Sequence, residues 1–513
     1  MAEGPLPFYG GRRQHALTPA ALLALLCAIA VLALLLLVPA VSFAAVPATP
    51  QVTGPIPRTD SSIPVGTAEY PGAAASVDLA RHGYVEEEYF ISGTANVYDY
   101  DAGGQGLQVK TPNVPYTTAI LVRHPKNPHR FSGRVQLEMS HPQFGVDTQV
   151  WAWNHDKFMR DGDAWVRVTT SRGGPALSSV GLAKEYDPIR YATIDYPEDG
   201  LNWDVIGQIG KLIKSNDPSS PLAGYPVREM LMSGWSGAGA VVQMWVNDFS
   251  RILRMPGGAP IVDGYIVGEP SGYPRINSSA PAIAADDPRQ KVIPPGVPVI
   301  KLHSHSEPAS QRRPDSDAPS DRYRTYEVAG PAHADNATNP DTFPTFLQLK
   351  NTSWGATMYP FSCKYPMNSF PFTQQWGASF SALERWVDQG AGSHGRGWSP
   401  PHAARLALNP DGSTVKDAFG NEVGGVRSVA LDVPTATYYD TNVPNPGDAG
   451  FCSNTSVGHE EPFSDALLKQ LYPTHHDYVK RVTRRAKQLA DDGWLLPEDA
   501  KATIAEAKHA QIP

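Results

Sequence analysis

The stretch that most constrains the fold is Met230-Leu-Met-Ser-Gly-Trp-Ser-Gly-Ala-Gly-Ala-Val-Val242. A short apolar run enters a serine, Ser236, flanked by small residues, and an Ala/Val-rich segment leaves it. That pattern predicts a strand, a tight turn and a helix with the serine at the apex. A serine on so sharp a turn needs small residues two positions before and after it. Here they are Gly234 and Ala238, so the motif is G-x-S-x-A, one methyl from the common G-x-S-x-G. Glycine and serine are also ordinary loop residues, so the rest of the chain decides what the turn is for.

With 513 residues the chain can hold one large domain or two to three average ones. Charged residues make up 18%, below the usual quarter, while 49 Pro and 45 Gly point to many ordered loops. The net charge is −8 and no long basic run occurs, which argues against nucleic acid as a partner. The cysteines, at 27, 363 and 452, show no C-x-x-C spacing, so a cysteine zinc site is not expected.

Residues 1–44 are set apart. Arg12 and Arg13 precede an apolar run over residues 20–38, followed by Pro39 and Ser42-Phe43-Ala44. A basic start, an apolar stretch and small residues at its end form an export signal. The 19-residue run is also just long enough to span a bilayer, so a retained N-terminal membrane anchor is the alternative. Either version places the following chain outside the cytoplasm, secreted or held at the cell envelope. In that compartment Cys363 and Cys452, the two cysteines outside the run, are expected to form a disulfide. Residues 45–76 are rich in Pro, Ala, Thr and Gly without apolar periodicity, which predicts a linker.

The globular part is expected over 77–513. Strands are predicted at 84–95, 116–123, 133–139, 164–170, 264–268 and 296–302 from their β-branched and aromatic content. Helices are predicted at 150–160 and 202–213 from apolar spacing. Strands alternating with helices indicate an α/β sheet with parallel crossovers. Trp151, Trp153, Trp165 and Trp203 are read as core and pocket wall. The Pro/Gly-rich region 339–464, which carries both cysteines, is expected to form a cap or rim over the site. Val479, Val482, Ala486 and Leu489 predict a surface helix in the charged tail.

From about Tyr84 onward the chain resembles the secreted bacterial α/β-hydrolase-domain proteins of the α/β-hydrolase superfamily. The resemblance rests on Ile120-Leu-Val-Arg-His-Pro125, Gly234-Trp-Ser-Gly-Ala-Gly239, Val297-Pro-Val-Ile300 and Tyr326-Glu-Val-Ala-Gly-Pro-Ala-His-Ala-Asp335. Further matches follow at 383–390, 417–427 and 471–479. It implies an α/β-hydrolase fold, a mostly parallel sheet flanked by helices, and a serine-hydrolase type of site whose residues follow the order Ser, acid, His.

On that reading Ser236, rather than Ser233 in the preceding strand, is the nucleophile, and His333 is the base that takes its proton. Glu307, just past the 296–302 strand, is the first choice for the acid, with Asp315 and Asp317 as alternatives. The oxyanion hole calls for two backbone N–H donors. Gly237 supplies one, and Ser140 or His141, after the 133–139 strand, supplies the other. His303, His305 and Glu307 alternate along a strand end, but three such ligands do not make a metal site, and no metal or other cofactor is expected. The expected activity is hydrolysis of a small or lipid-like carboxylic ester through an acyl-serine. An acyltransferase, or a non-catalytic envelope binding protein on the same scaffold, is the competing reading.

Overall fold

The structure is a computed structural model that describes residues 45–104, 106–142, 148–169, 179–389, 397–454 and 457–512, with Met1 and Gly4. The chain divides into Met1–Ala44 and Ala45–Pro513. The apolar run at 20–38, the choice between export signal and anchor, and Cys27 lie outside the described residues. Among the described residues no helix is long and apolar enough to cross a membrane.

The second unit is built on one ten-stranded sheet in the order β1-β2-β3-β5-β4-β6-β7-β8-β10-β9. Its strands are β1 (Gln51–Thr53), β2 (Tyr84–Tyr100), β3 (Leu107–Pro125), β4 (Arg134–Met139), β5 (Ala164–Val168), β6 (Glu229–Trp235), β7 (Gly264–Gly268), β8 (Val299–His303), β9 (Ser316–Ala318) and β10 (Asp321–Glu327). The run from β5 through β4, β6, β7 and β8 to β10 is parallel. The outer pairs β1/β2, β2/β3, β3/β5 and β10/β9 are antiparallel.

The central strands are apolar on both faces, as a covered parallel sheet requires. Because side chains alternate along a strand, Met230 and Met232 of β6 join one core while Leu231 joins the other. Tyr265 and Val267 of β7 divide from Ile266 in the same way. Four helices do most of the covering: α1 (Gln149–Asp161), α3 (Asn202–Lys214), α4 (Gly237–Met244) and α5 (Phe372–Gln389), with α2 (Ser179–Tyr186) at the periphery. Trp203, Ile206 and Ile209 of α3 and Val241 and Val242 of α4 pack on the first face. Trp151 and Phe158 of α1 and Trp376, Phe380 and Leu383 of α5 pack on the second. A buried ion pair between Lys157 and Glu384, 2.7 Å, joins α1 to α5.

Two expectations about chain organisation are corrected. Residues 45–76 are not a linker: β1 extends the sheet by pairing Gln51 with Ser92, and residues 63–68 are buried. They are held by partners far away in sequence. Gly66 N–H donates to Gln348 Oε1 (2.8 Å), Ala68 N–H to Glu86 Oε2 (2.8 Å), and Arg167 donates to the Val65 carbonyl (2.6 Å). Nor is the whole of 339–464 a cap, because α5 lies inside that range and is a sheet-covering helix. Around it stand a small hairpin, β11 (Ala436–Tyr439) with β12 (His459–Pro462), and the Cys363–Cys452 disulfide, with Cα atoms 5.6 Å apart. The tail forms α6 (Asp465–Leu471), α7 (His475–Asp491) and α8 (Pro497–His509). Ser464 and Thr474 cap the first two, and Val482, Ala486 and Leu489 are buried.

Candidate active site

The site forms where β6 turns into α4. Ser236 takes φ 57° and ψ −123°, a region that a side chain occupies only when its surroundings force it there. The forcing contacts come from close packing of helix on sheet. A Cβ on Gly234 would come within 2.6 Å of the Ala238 backbone, and one on Gly239 would fall on the Gly268 carbonyl oxygen. Ala238 is itself 2% exposed, so its methyl fits the turn that the G-x-S-x-A motif predicted.

The register of β6 against β7 pairs Trp235 with Gly268, and Ser236 N–H continues the ladder by donating to the Gly268 carbonyl (3.0 Å). The residue after Gly268 is Glu269. Its backbone has φ 43°, and its N–H donates to the Leu302 carbonyl of β8 (2.7 Å). Strand end and turn together place the carboxylate against His333 and Ser304.

His333 reaches the same point from the loop after β10. Val328 bridges to Val426 and Ala334 to Val457, so the loop is tied on both sides of the histidine. Just beyond it, Asp335 is buried and caps a short 3-10 turn, and burial raises its carboxyl to about 7. His333 Nε2 lies 3.0 Å from Ser236 Oγ, and Nδ1 lies 2.6 Å from Glu269 Oε2. Ser304 Oγ donates to the same Glu269 oxygen at 2.7 Å. The imidazole stacks on Trp235, with ring centroids 4.5 Å apart. Glu269 is 1% exposed and Ser236 6%, so the group is screened from bulk water yet open at the serine.

Ser236 and His333 are therefore brought together as predicted from the sequence, and Glu307 is not with them. Glu307 follows β8 and pairs with Lys301 (2.8 Å) and Arg405 (3.1 Å), while its N–H donates to Glu327. Burial alone would raise its carboxyl. The contact with His303, 3.8 Å away, and the Lys301 charge outweigh that and bring it down to about 2. His303 is pushed down to about 4 by burial. The alternative acids are occupied elsewhere: Asp315 with His402 (2.9 Å) and Asp317 with Arg324 (2.6 Å). The residue that sequence reasoning missed is Glu269. Its signal was present, an acid immediately after the predicted 264–268 strand.

The second oxyanion candidate is also narrowed. Ser140 directs both its N–H and its hydroxyl at the Val168 carbonyl, each at 3.0 Å, so its N–H is committed to the sheet edge. His141 is buried with its ring against Gly237, where an added Cβ would come within 2.6 Å of Nε2. Gly237 is the first residue of α4, a position whose N–H has no partner within the helix. Ser233 lies inside β6 with its hydroxyl buried and unpaired.

A doubly wound sheet with a serine at the strand–helix turn and an acid and a histidine at later strand ends defines an α/β-hydrolase. A family model described as alpha/beta hydrolase domain matches residues 52–505, and the chain belongs to that family. Family membership supports hydrolase activity. No curated protein sequence matches the chain. Among solved structures, similarity extends to a cold-adapted esterase from an Arctic intertidal metagenomic library, 12% identical, covering 43% of this chain and 74% of that one with TM-score 0.20. It extends also to esterase Est22, 11% identical over 44% of this chain and 66% of that one, TM-score 0.26. A third is an alpha-beta serine hydrolase homologue from Coxiella burnetii, 10% identical over 46% and 92%, TM-score 0.23.

Proposed function

We propose that the protein is a serine hydrolase that cleaves carboxylic esters through an acyl-serine, with Ser236, His333 and Glu269 as its triad. The observation that carries this is the continuous hydrogen-bonded line from Ser236 Oγ through both His333 nitrogens to Glu269 Oε2. A carboxylate can only accept, so the proton on the imidazole belongs on Nδ1 and leaves Nε2 bare for the serine proton. Ser236 Oγ then attacks the ester carbonyl while His333 takes its proton. The Gly237 N–H, with His141 bordering the same spot, faces the charge that develops on the carbonyl oxygen. His333 returns the proton to the departing alcohol, and a water activated in the same way releases the acid. Glu269 holds the imidazole in its working tautomer throughout.

The proposed location is extracytoplasmic, through residues 20–38 as signal or anchor. The Cys363–Cys452 bridge supports it, since such bridges persist in oxidising compartments. Labelling by a fluorophosphonate probe, lost in Ser236→Ala and His333→Ala, tests the triad. A folded wild-type protein that neither labels nor hydrolyses p-nitrophenyl esters of graded chain length would sink the proposal.

A further inference from the structure

Ser236 Oγ has a contact beyond the triad. The hydroxyl of Ser271, two residues after Glu269, lies 3.1 Å from it, and Ser271 N–H donates to the Ser236 carbonyl at 3.3 Å. Ser271 is exposed, so neither core packing nor burial demands a serine there.

The direction of this hydrogen bond follows from counting protons. Glu269 accepts from Nδ1 of His333, so Nε2 is an acceptor and Ser236 must spend its only proton on it. Between the two hydroxyls Ser271 is then the donor. The nucleophile oxygen has four directions: its bond to Cβ, its hydrogen to His333, one lone pair engaged by Ser271 and one lone pair left. With three occupied, the remaining lone pair points one way.

We propose that Ser271 is a further catalytic residue, whose hydroxyl holds Ser236 Oγ in the rotamer that aims its free lone pair at the substrate. This rests on the serine-hydrolase reading above. In the attack, the free lone pair forms the Oγ–carbon bond, the carbonyl π electrons move to its oxygen, and the Ser236 proton passes to His333 Nε2. Ser271 keeps its own proton and its hydrogen bond to Oγ while the negative charge moves to the carbonyl oxygen. The gain comes from pre-set orientation, which an unrestrained serine would have to reach by rotation.

The test uses the second-order rate of fluorophosphonate labelling, in which one bond to Oγ forms. Ser271→Ala keeps the backbone N–H bond and removes only the hydroxyl. It is expected to label about five- to tenfold more slowly, the scale of one neutral hydrogen bond, with an unchanged melting temperature. Ser271→Thr restores a hydroxyl at the same carbon and is expected to recover most of the rate. Wild-type labelling in Ser271→Ala overturns the proposal, as does Ser271→Thr remaining as slow as Ser271→Ala. If the wild-type protein itself fails to label, the serine-hydrolase reading falls and takes this proposal with it.

Discussion

The imidazole of His333 lies against the indole of Trp235, its plane 27° from parallel, and Trp235 meets Trp153 edge-on at 5.8 Å. Trp235, the residue just before Ser236, thus braces the His333 ring. The stack keeps the ring from swinging off the line between Ser236 and Glu269. It also places an aromatic face beside the imidazolium that the proposed mechanism forms on His333.

Trp235→Ala is expected to lower kcat/KM about five- to tenfold, the scale of about 1 kcal/mol from a lost cation–aromatic contact. Trp235→Phe keeps a ring face and should stay within about threefold of wild type by the same reasoning. Ester hydrolysis rates on the two variants, with circular dichroism to show folding, check this.

The acid assignment separates two glutamates that sequence reasoning could confuse. Glu269→Gln should reduce kcat by about 10³–10⁴-fold, as loss of a triad acid does through the wrong imidazole tautomer. Glu307→Gln should leave catalysis largely intact but destabilise the fold by about 3–5 kcal/mol, because it strands the Lys301 ammonium in a buried site. Steady-state kinetics and denaturant melts on both variants distinguish the roles, and the opposite pattern would return the acid to Glu307.

How much of this was legible depended on whether a signal was local. The 264–268 strand and the 202–214 helix follow from runs of neighbouring residues, and sequence and structure agree on them to within a residue. Which acid meets His333 turns on a non-local fact. Two predicted strands end near a carboxylate, and only the sheet order shows that β7, not β8, lies beside β6. Residues 45–76 misled for a related reason. They have no apolar period because Gly66, Thr67 and Ala68 are anchored by Gln348, Glu86 and Arg58 rather than by a stripe of their own. Ser271 and Ser304 carried no sequence signal, since a serine in a loop announces nothing until its neighbour is known.

Stability should fall in acid over two windows. His303 titrates near 6.5 when unfolded and at about 4 in the fold, so the unfolded chain binds the extra proton between those values. Its contribution is complete above about 6.5 and lost as the pH drops to about 4. Glu307 is lowered from 4.5 to about 2, so its contribution is present above about 4.5 and lost as the pH falls toward 2. Urea melts across the range should show His303→Gln flattening the upper window and Glu307→Gln the lower. Unchanged slopes in both variants would place the acid sensitivity elsewhere.

At the elbow the two small residues should behave differently. Gly239→Ala sets a methyl on a strand carbonyl that cannot retreat and should cost about 1–3 kcal/mol or more. Ala238→Gly converts the motif to G-x-S-x-G and should retain labelling at Ser236, losing about 1 kcal/mol from a glycine inside a helix. Thermal unfolding with probe labelling reads both.

The Trp235–Gly268 pairing has one more consequence. Ser236 and Glu269 each leave their strand one residue past the same rung, so the separation of their main chains is set by the spacing of adjacent strands. The side chains lining the approach to the serine do not set it. On the proposed mechanism, reactivity and selectivity are thereby mechanically decoupled: the lining can be exchanged for new substrates, by evolution or by an engineer, while the spacing of Ser236 and Glu269 stays where the main chain puts it.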